Sequence, residues 1–179
     1  NYSLSANGGS EQYRYNFSAN YFDQDGIIEN SHFDKLTLRL NAEYKLNPHV
    51  KFGYNLSHSS IRSDEIPDVV NSAYRMPPVF AERDSTGDFS DPTFFGLAIA
   101  NPAADLYYKS NNHQSGTRLF GNLYGEITFL KNFTFRSNFG LDQRNRRGKY
   151  YEPKFQVSAS QLNLNDRLSA GTEKFDEWI

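Results

Sequence analysis

Asp23-Gln24-Asp25-Gly26 sets two carboxylates one residue apart ahead of a glycine, which is how a calcium loop opens. The further ligand spacing and the distal bidentate glutamate are missing, so a plain Asp/Gly turn is the favoured reading. Asp84, Asp88 and Asp91 around Gly87 read the same way. His32, His49, His58 and His113 form no i, i+4 pair and have no zinc-type carboxylate spacing, and read as surface or loop residues. No Gly-x-Ser-x-Gly elbow, Walker A or dinucleotide pattern occurs, and the chain has 0 cysteines. No catalytic residue, metal or cofactor is nominated, and nothing in the residue pattern supports an enzyme. Four Asn-x-Ser/Thr triplets, beginning at Asn1, Asn16, Asn55 and Asn132, are read as chance products of alternating polar and aromatic residues. The basic run Arg144-Asn145-Arg146-Arg147-Gly148-Lys149 could hold anions, lipopolysaccharide phosphates included, although a solvated loop crest is the favoured reading.

Aromatic side chains offer the other binding chemistry. The stretch from Ser59 to Ser115 lacks strong strand patterning, and loops of that length are usually functional or disordered. A short helix is expected within Asp64 to Met76, ending before Pro77-Pro78, with Val69, Val70 and Ala73 on one side. Tyr74, Phe80, Phe94, Phe95, Tyr107 and Tyr108 are the ligand-contact candidates, rings in polar company that can stack on a ligand. Packing against neighbouring loops is an equal alternative for them.

The elements that must carry these residues are long alternating strands. Tyr13, Tyr15, Phe17, Ala19 and Tyr21 interleave with Arg14, Asn16, Ser18 and Asn20, so one face is greasy and the other wet. Leu36, Leu38, Leu40, Ala42, Tyr44 and Leu46 repeat the pattern against Thr37, Arg39, Asn41, Glu43 and Lys45, and Val50, Phe52, Tyr54 and Leu56 continue it. Leu119, Leu123, Ile127 and Phe129 lead into Phe133, Phe135, Phe139 and Leu141, with Phe120 and Tyr124 on the nominally wet face. Strands are expected at about 1–7, 12–22, 34–46, 50–59, 117–130, 133–143 and 156–170, with a long loop at about 60–115. An aromatic content of 16% beside only 37% hydrophobic residues, with a mean hydropathy of -0.72, suits a sheet with one lipid face and one water face. About ten alternating residues tilted near 45° suffice to cross a bilayer, whereas no stretch approaches the roughly 18 apolar residues of a spanning helix. A formal charge of -2 gives no net basic field for nucleic acid.

Connections alternate between tight and long. Gly8-Gly9-Ser10, Asn47-Pro48-His49 and Lys131-Asn132 are tight, while Phe22–Phe33, Ser59–Ser115 and Arg144–Gln156 are long and polar. Outer-membrane barrels have short periplasmic turns and longer extracellular loops, so the order assigns a side to each end of the strands. The expected fold class is all-β: antiparallel up-and-down strands forming one partial segment, 1–179, of a large transmembrane barrel.

Asn1-Tyr2-Ser3-Leu4-Ser5-Ala6-Asn7-Gly8-Gly9-Ser10-Glu11, then Asn20 to Ile28, then Phe33 to Asn41, resemble the opening barrel strands of SusC/RagA-type TonB-linked outer-membrane proteins. The resemblance continues in Arg75-Met76-Pro77-Pro78-Val79-Phe80, Asn101-Pro102-Ala103-Ala104, Phe120 to Tyr124 and Phe135 to Gly140, and covers nearly the whole chain. It implies a barrel of about 22 strands filled by a plug, which imports glycans or peptides across the outer membrane of Bacteroidetes-like bacteria. It also implies a SusD-like surface lipoprotein as lid, and TonB coupling through the plug. No plug and no TonB-contacting segment are recognisable in this sequence, and the strands are too few to close, so the chain is expected to be a piece of such a barrel. A secreted β-sandwich that binds carbohydrate, and a structural outer-membrane barrel or adhesin, are the alternatives. A sandwich predicts shorter strands, turns every 8 to 12 residues and a core shared by two sheets.

Overall fold

The computed structural model describes residues 1–130 and 132–179. Six long strands, β1 (Tyr2–Gly9), β2 (Tyr13–Asp25), β3 (His32–Asn47), β4 (Val50–Glu65), β5 (Asn111–Phe129) and β6 (Phe133–Glu152), pair in chain order. Two short strands, β7 (Phe155–Gln156) and β8 (Leu162–Asn163), form a separate ribbon, and β9 (Arg167–Trp178) returns to pair with β6. Every pairing is antiparallel, so the seven-stranded sheet is an up-and-down meander. The tight connection read at Lys131-Asn132 includes Lys131, which lies outside the described residues.

Register carries the alternation of single strands across the sheet. Phe17 faces Leu40, Leu40 faces Leu56, Leu56 faces Gly121, and Gly121 faces Leu141. The greasy positions therefore merge into one continuous belt, and the wet positions into the opposite face. The belt has no protein partner: Leu4 is 67% and Phe135 61% exposed. Among the described residues the buried apolar side chains are Val69, Pro92, Ala104 and Phe155, all in loops or in the β7–β8 ribbon. Strands of 16 to 20 residues in a single up-and-down sheet depart from the short strands and two-sheet core that a β-sandwich predicts.

The belt also carries the tilt of a barrel wall. Its upper edge lies at Tyr21 on β2 and at Leu36, directly opposite, on β3. Followed through the register, Leu36 faces Ser60, Ser60 faces Thr117, and Thr117 faces Asn145, yet the last belt residue on β6 is Leu141. The edge thus drops four residues over the four steps from β2 to β6. At about 3.3 Å per residue and 4.8 Å per strand, that is about 13 Å over 19 Å, a tilt of about 35°. Leu36 to Leu46 then gives a belt about 27 Å tall, close to the apolar band of outer-membrane barrels. Tyr13 with Tyr15, Tyr44 with Phe52, and Phe129 with Phe133 pair at its lower margin, where amphipathic rings favour the membrane interface.

The strands are longer than the alternation predicts. β4 reaches Glu65 and β5 begins at Asn111, so the long loop is 66–110 instead of 60–115. β2 runs to Asp25, so Asp23 and Asp25 are strand residues and the turn lies after them. β6 continues to Glu152, which places the whole basic run from Arg144 to Lys149 in a strand and corrects its reading as a loop crest. The strand expected at 156–170 is instead the β7–β8 ribbon followed by β9. In each case ladder hydrogen bonding continues above the belt, where both faces are wet and apolar alternation stops marking it.

Candidate functional site

Above the sheet, the loops fold onto one another. Loop 66–110 holds α1 (Val70–Arg75), a single 3-10 turn (Pro92–Phe95) and α2 (Pro102–Lys109). The helix expected within Asp64 to Met76 shortens to α1, with Val69 buried but Val70 exposed, so the two valines do not share a face. Asn101 precedes Pro102 and caps α2, its side-chain oxygen accepting from the backbone N–H of Ala103 at 3.1 Å and of Ala104 at 3.4 Å. Its amide donates to the carbonyls of Glu82 and Ser90, both at 3.0 Å. Gln161, from the ribbon loop, accepts from the Asn101 N–H at 2.8 Å and donates to its carbonyl at 2.9 Å. Both residues are buried, so this bridge staples loop 66–110 and the ribbon loop into one cap.

Rings complete the cap. Tyr108 stacks on Phe155 with centroids 4.4 Å apart, Phe89 lies against Tyr107 and Tyr108, and Arg83 sits 3.9 Å over the Phe89 ring. Of the ligand-contact candidates, Tyr107 and Tyr108 belong to this cluster, and Phe80 and Phe95 meet edge-on at 5.8 Å. Tyr74 at 89% and Phe94 at 87% exposure stand free on the surface. The structure does not bring the six together into one site.

At the level of the belt the charged groups lie on the water face of the sheet. Low on it, Gly53 leaves space for the Tyr124 ring, since a Cβ there would lie 2.7 Å from the ring. Tyr124 donates to Glu43 at 2.8 Å, Lys51 bridges Glu126 at 3.2 Å and Glu43 at 3.8 Å, and Arg136 lies 4.3 Å over the Tyr124 ring. Tyr124, anomalous as a ring on the wet face, is thus a polar hub. Higher up, Asp142 accepts from Arg118 at 2.8 and 2.9 Å and from Arg144 at 2.5 Å. Each guanidinium has five N–H donors and spends two on this carboxylate, leaving donors for a carboxylate, sulfate or hydroxyl. Beside this triad lies a concave site of 480 Å³ whose lining includes Phe33, Lys35, Ile61, Glu65, Arg118 and Arg146.

Sequence reasoning missed Glu43, Lys51, Arg118, Arg136 and Asp142. Their one signal was parity, charged side chains on the wet face of long strands, and only the register shows who pairs with whom. Among the described residues no group of His, Asp or Glu is placed to hold a metal ion. His32 is ringed by Asp25 at 2.8 Å, Asp23 at 3.9 Å and Asp34 at 4.0 Å, an ion cluster on the outward face above the belt.

An ion-paired water face, an unpartnered apolar face and a barrel-like tilt frame the comparison with known proteins. No protein-family model matches the chain. Over 164 residues it is 27% identical to TonB-dependent receptor P3 of Formosa agariphila, covering 86% of this chain and 16% of that protein. TonB-dependent receptor P39 of the same organism is 24% identical over 173 residues, covering 94% of this chain and 16% of that relative. The chain is a relative of the TonB-dependent receptors. Its fold agrees with that of a SusC/RagA-type transporter: the solved RagAB peptide transporter superposes with a TM-score of 0.68 at 23% identity, over 88% of this chain and 19% of that one. RagAB in its closed-closed state gives 0.67 at 21% identity, over 96% of this chain and 20% of that one. The seven-stranded sheet is therefore a partial segment of a TonB-dependent barrel, and the chain spans about a sixth of the curated receptors' length.

Proposed function

We propose that this chain forms part of the wall and extracellular cap of an outer-membrane, TonB-dependent nutrient importer. The carrying observation is the tilted apolar belt backed by a charged water face, since a closed barrel with that polarity satisfies every backbone group in lipid and encloses a wet lumen. The cargo is a peptide or a glycan. RagAB, a peptide transporter, supports the first, and the exposed rings Tyr74, Phe94, Phe95 and Tyr107, with the half-buried Phe80 and Tyr108, suit either class as contacts at the mouth. A SusD-like surface lipoprotein is the proposed partner at the cap, and the TonB complex, acting through a plug, is the proposed energy source. The reading assigns no catalysis to the chain.

Cells carrying the full-length gene, its deletion, or a version lacking residues 66–110 are given labelled oligopeptides and oligosaccharides, with and without a protonophore. The expected result is energy-dependent uptake of one class that is lost in the deletion and impaired without the loop. Equal uptake of every probe by the deletion strain overturns the reading.

A further inference from the structure

Parity sends part of the basic run to the outside of the wall. Arg144 and Arg146 share the water face with Asp142, but Arg147 and Lys149 share the face of Phe139 and Leu141, above the belt. Arg62, Ser115 and Arg147 lie in one row across β4, β5 and β6, and the next row down reads Ser60, Thr117, Asn145 and Lys174. Two arginines thus flank a serine, with hydroxyls and a lysine beneath. Between them is an outward concavity of 330 Å³ lined by Ser60, Arg62, Ser115, Thr117, Asn145 and Arg147. Among the described residues none of Arg62, Arg147, Lys149 and Lys174 makes an ion pair, unlike Arg118, Arg136, Arg144 and Lys51 on the water face. The acidic neighbours are Asp34, opposite Arg62, and Asp176, opposite Gln143, while Asp64 is engaged by His113 at 2.5 Å.

We propose that this patch binds the phosphate groups of an anionic glycolipid in the outer leaflet, and this rests on the barrel-wall reading above. Height supports it. Lys174, level with Asn145, stands four residues above the Leu141–Trp178 pair, and Arg147 stands six above. At a tilt near 35° those are about 11 and 16 Å above the belt, and side chains reaching down about 6 Å put their charges about 5 to 10 Å above the hydrocarbon edge, at headgroup level. Arg62 and Arg147 are two strand steps apart, about 10 Å, so both guanidinia can close on one phosphate. Asn145 decides between lipids. Its side-chain oxygen is buried without a hydrogen-bond partner, an acceptor that needs a donor. A sugar phosphate offers a hydroxyl donor a few ångströms from its anionic oxygens, which a plain diester between acyl chains does not.

The test uses the full-length receptor carrying this chain, in phosphatidylcholine nanodiscs doped with rough-type lipopolysaccharide, its dephosphorylated form, or phosphatidylmethanol, an anionic diester with no headgroup hydroxyl, with bound lipid counted by native mass spectrometry. The variant Arg62→Gln/Arg147→Gln/Lys174→Gln is compared with Lys35→Gln/Arg39→Gln on the water face. About a factor of five is expected per basic side chain near an anionic surface, so the triple variant should hold lipopolysaccharide roughly a hundredfold more weakly. The water-face variant should match wild type, and dephosphorylated lipid should be retained poorly. Arg147→Gln alone, expected to lose about fivefold, serves if the triple variant fails to insert. Equal retention by an inserted variant and wild type, or phosphatidylmethanol held as tightly as lipopolysaccharide, overturns the glycolipid site. A wild-type receptor that does not enter the bilayer overturns the barrel-wall reading itself.

Discussion

Replacing Asn101 with alanine tests whether loop 66–110 and the ribbon loop form one cooperative cap. The side chain is fully buried and makes four hydrogen bonds, two accepted from the N-terminal N–H groups of α2 and two donated to the carbonyls of Glu82 and Ser90. Losing an N-cap costs about 1 kcal/mol, and stranding the Ser90 carbonyl costs at least about 1 kcal/mol more, whereas the Glu82 carbonyl keeps the backbone N–H of Ser90 at 3.0 Å. The substitution should therefore weaken the cap by about 2 kcal/mol, which is roughly a 30-fold rise in its open population. Hydrogen exchange followed by mass spectrometry on the full-length receptor reads this directly: amides of α2 and of the ribbon loop around Gln161 should exchange about 30-fold faster, or lose protection altogether, while β4 and β5 amides keep their rates. A change below about tenfold, or one confined to residues beside Asn101 with Gln161 unaffected, refutes the stapled cap.

Further outcomes follow from the same geometry. Leu40→Arg puts a charge midway up the belt and should cost roughly 2–4 kcal/mol in urea titrations of the receptor in lipid vesicles, whereas Asn41→Arg on the water face should cost under about 1 kcal/mol. Gly53→Val drives a side chain into the Tyr124 ring and should cost about 1–3 kcal/mol in the same titration, with the Tyr124 to Glu43 hydrogen bond lost. In the cap, the hydroxyl and backbone N–H of Thr86 donate to Asp84 and hold its carboxyl below the usual carboxylate range. A depressed acid stabilises the fold above its unfolded pKa, and that gain disappears as pH falls through the lower folded value. Exchange at the Thr86 and Asp88 amides should stay protected through the ordinary carboxylate titration and open only in stronger acid, and Asp84→Asn should abolish this pH dependence.

What the sequence revealed and what it hid divide at the edge of the belt. From Tyr13 to Tyr21 and Leu36 to Leu46 one face is apolar and the other polar, which writes a period of two into the residues. Above Leu56 and Leu141 both faces are wet, so strand residues such as Arg62, Gln114 and Arg147 carry no such imprint and read as loop. Leu162, Leu164 and Leu168 mislead in the opposite sense. They alternate like a strand, but the ribbon is fixed by polar anchors, Asn163 to the carbonyl of Pro153 at 3.0 Å and Asp166 to the N–H of Lys154 at 2.7 Å. The Asn101–Gln161 bridge joins residues far apart in sequence, and the pairing of Glu43 with Tyr124 depends on a register spanning three strands. Neither leaves a local signature.

Spin labels placed one at a time at Leu38, Arg39, Leu40 and Asn41 of the full-length receptor in lipid vesicles probe both flanks of β3. Labels at 38 and 40 should be open to dissolved oxygen and closed to a water-soluble nickel chelate, and those at 39 and 41 should show the reverse. Labels shielded from both reagents on both flanks would mean that the strand lies inside a protein core, and would contradict a wall between lipid and lumen.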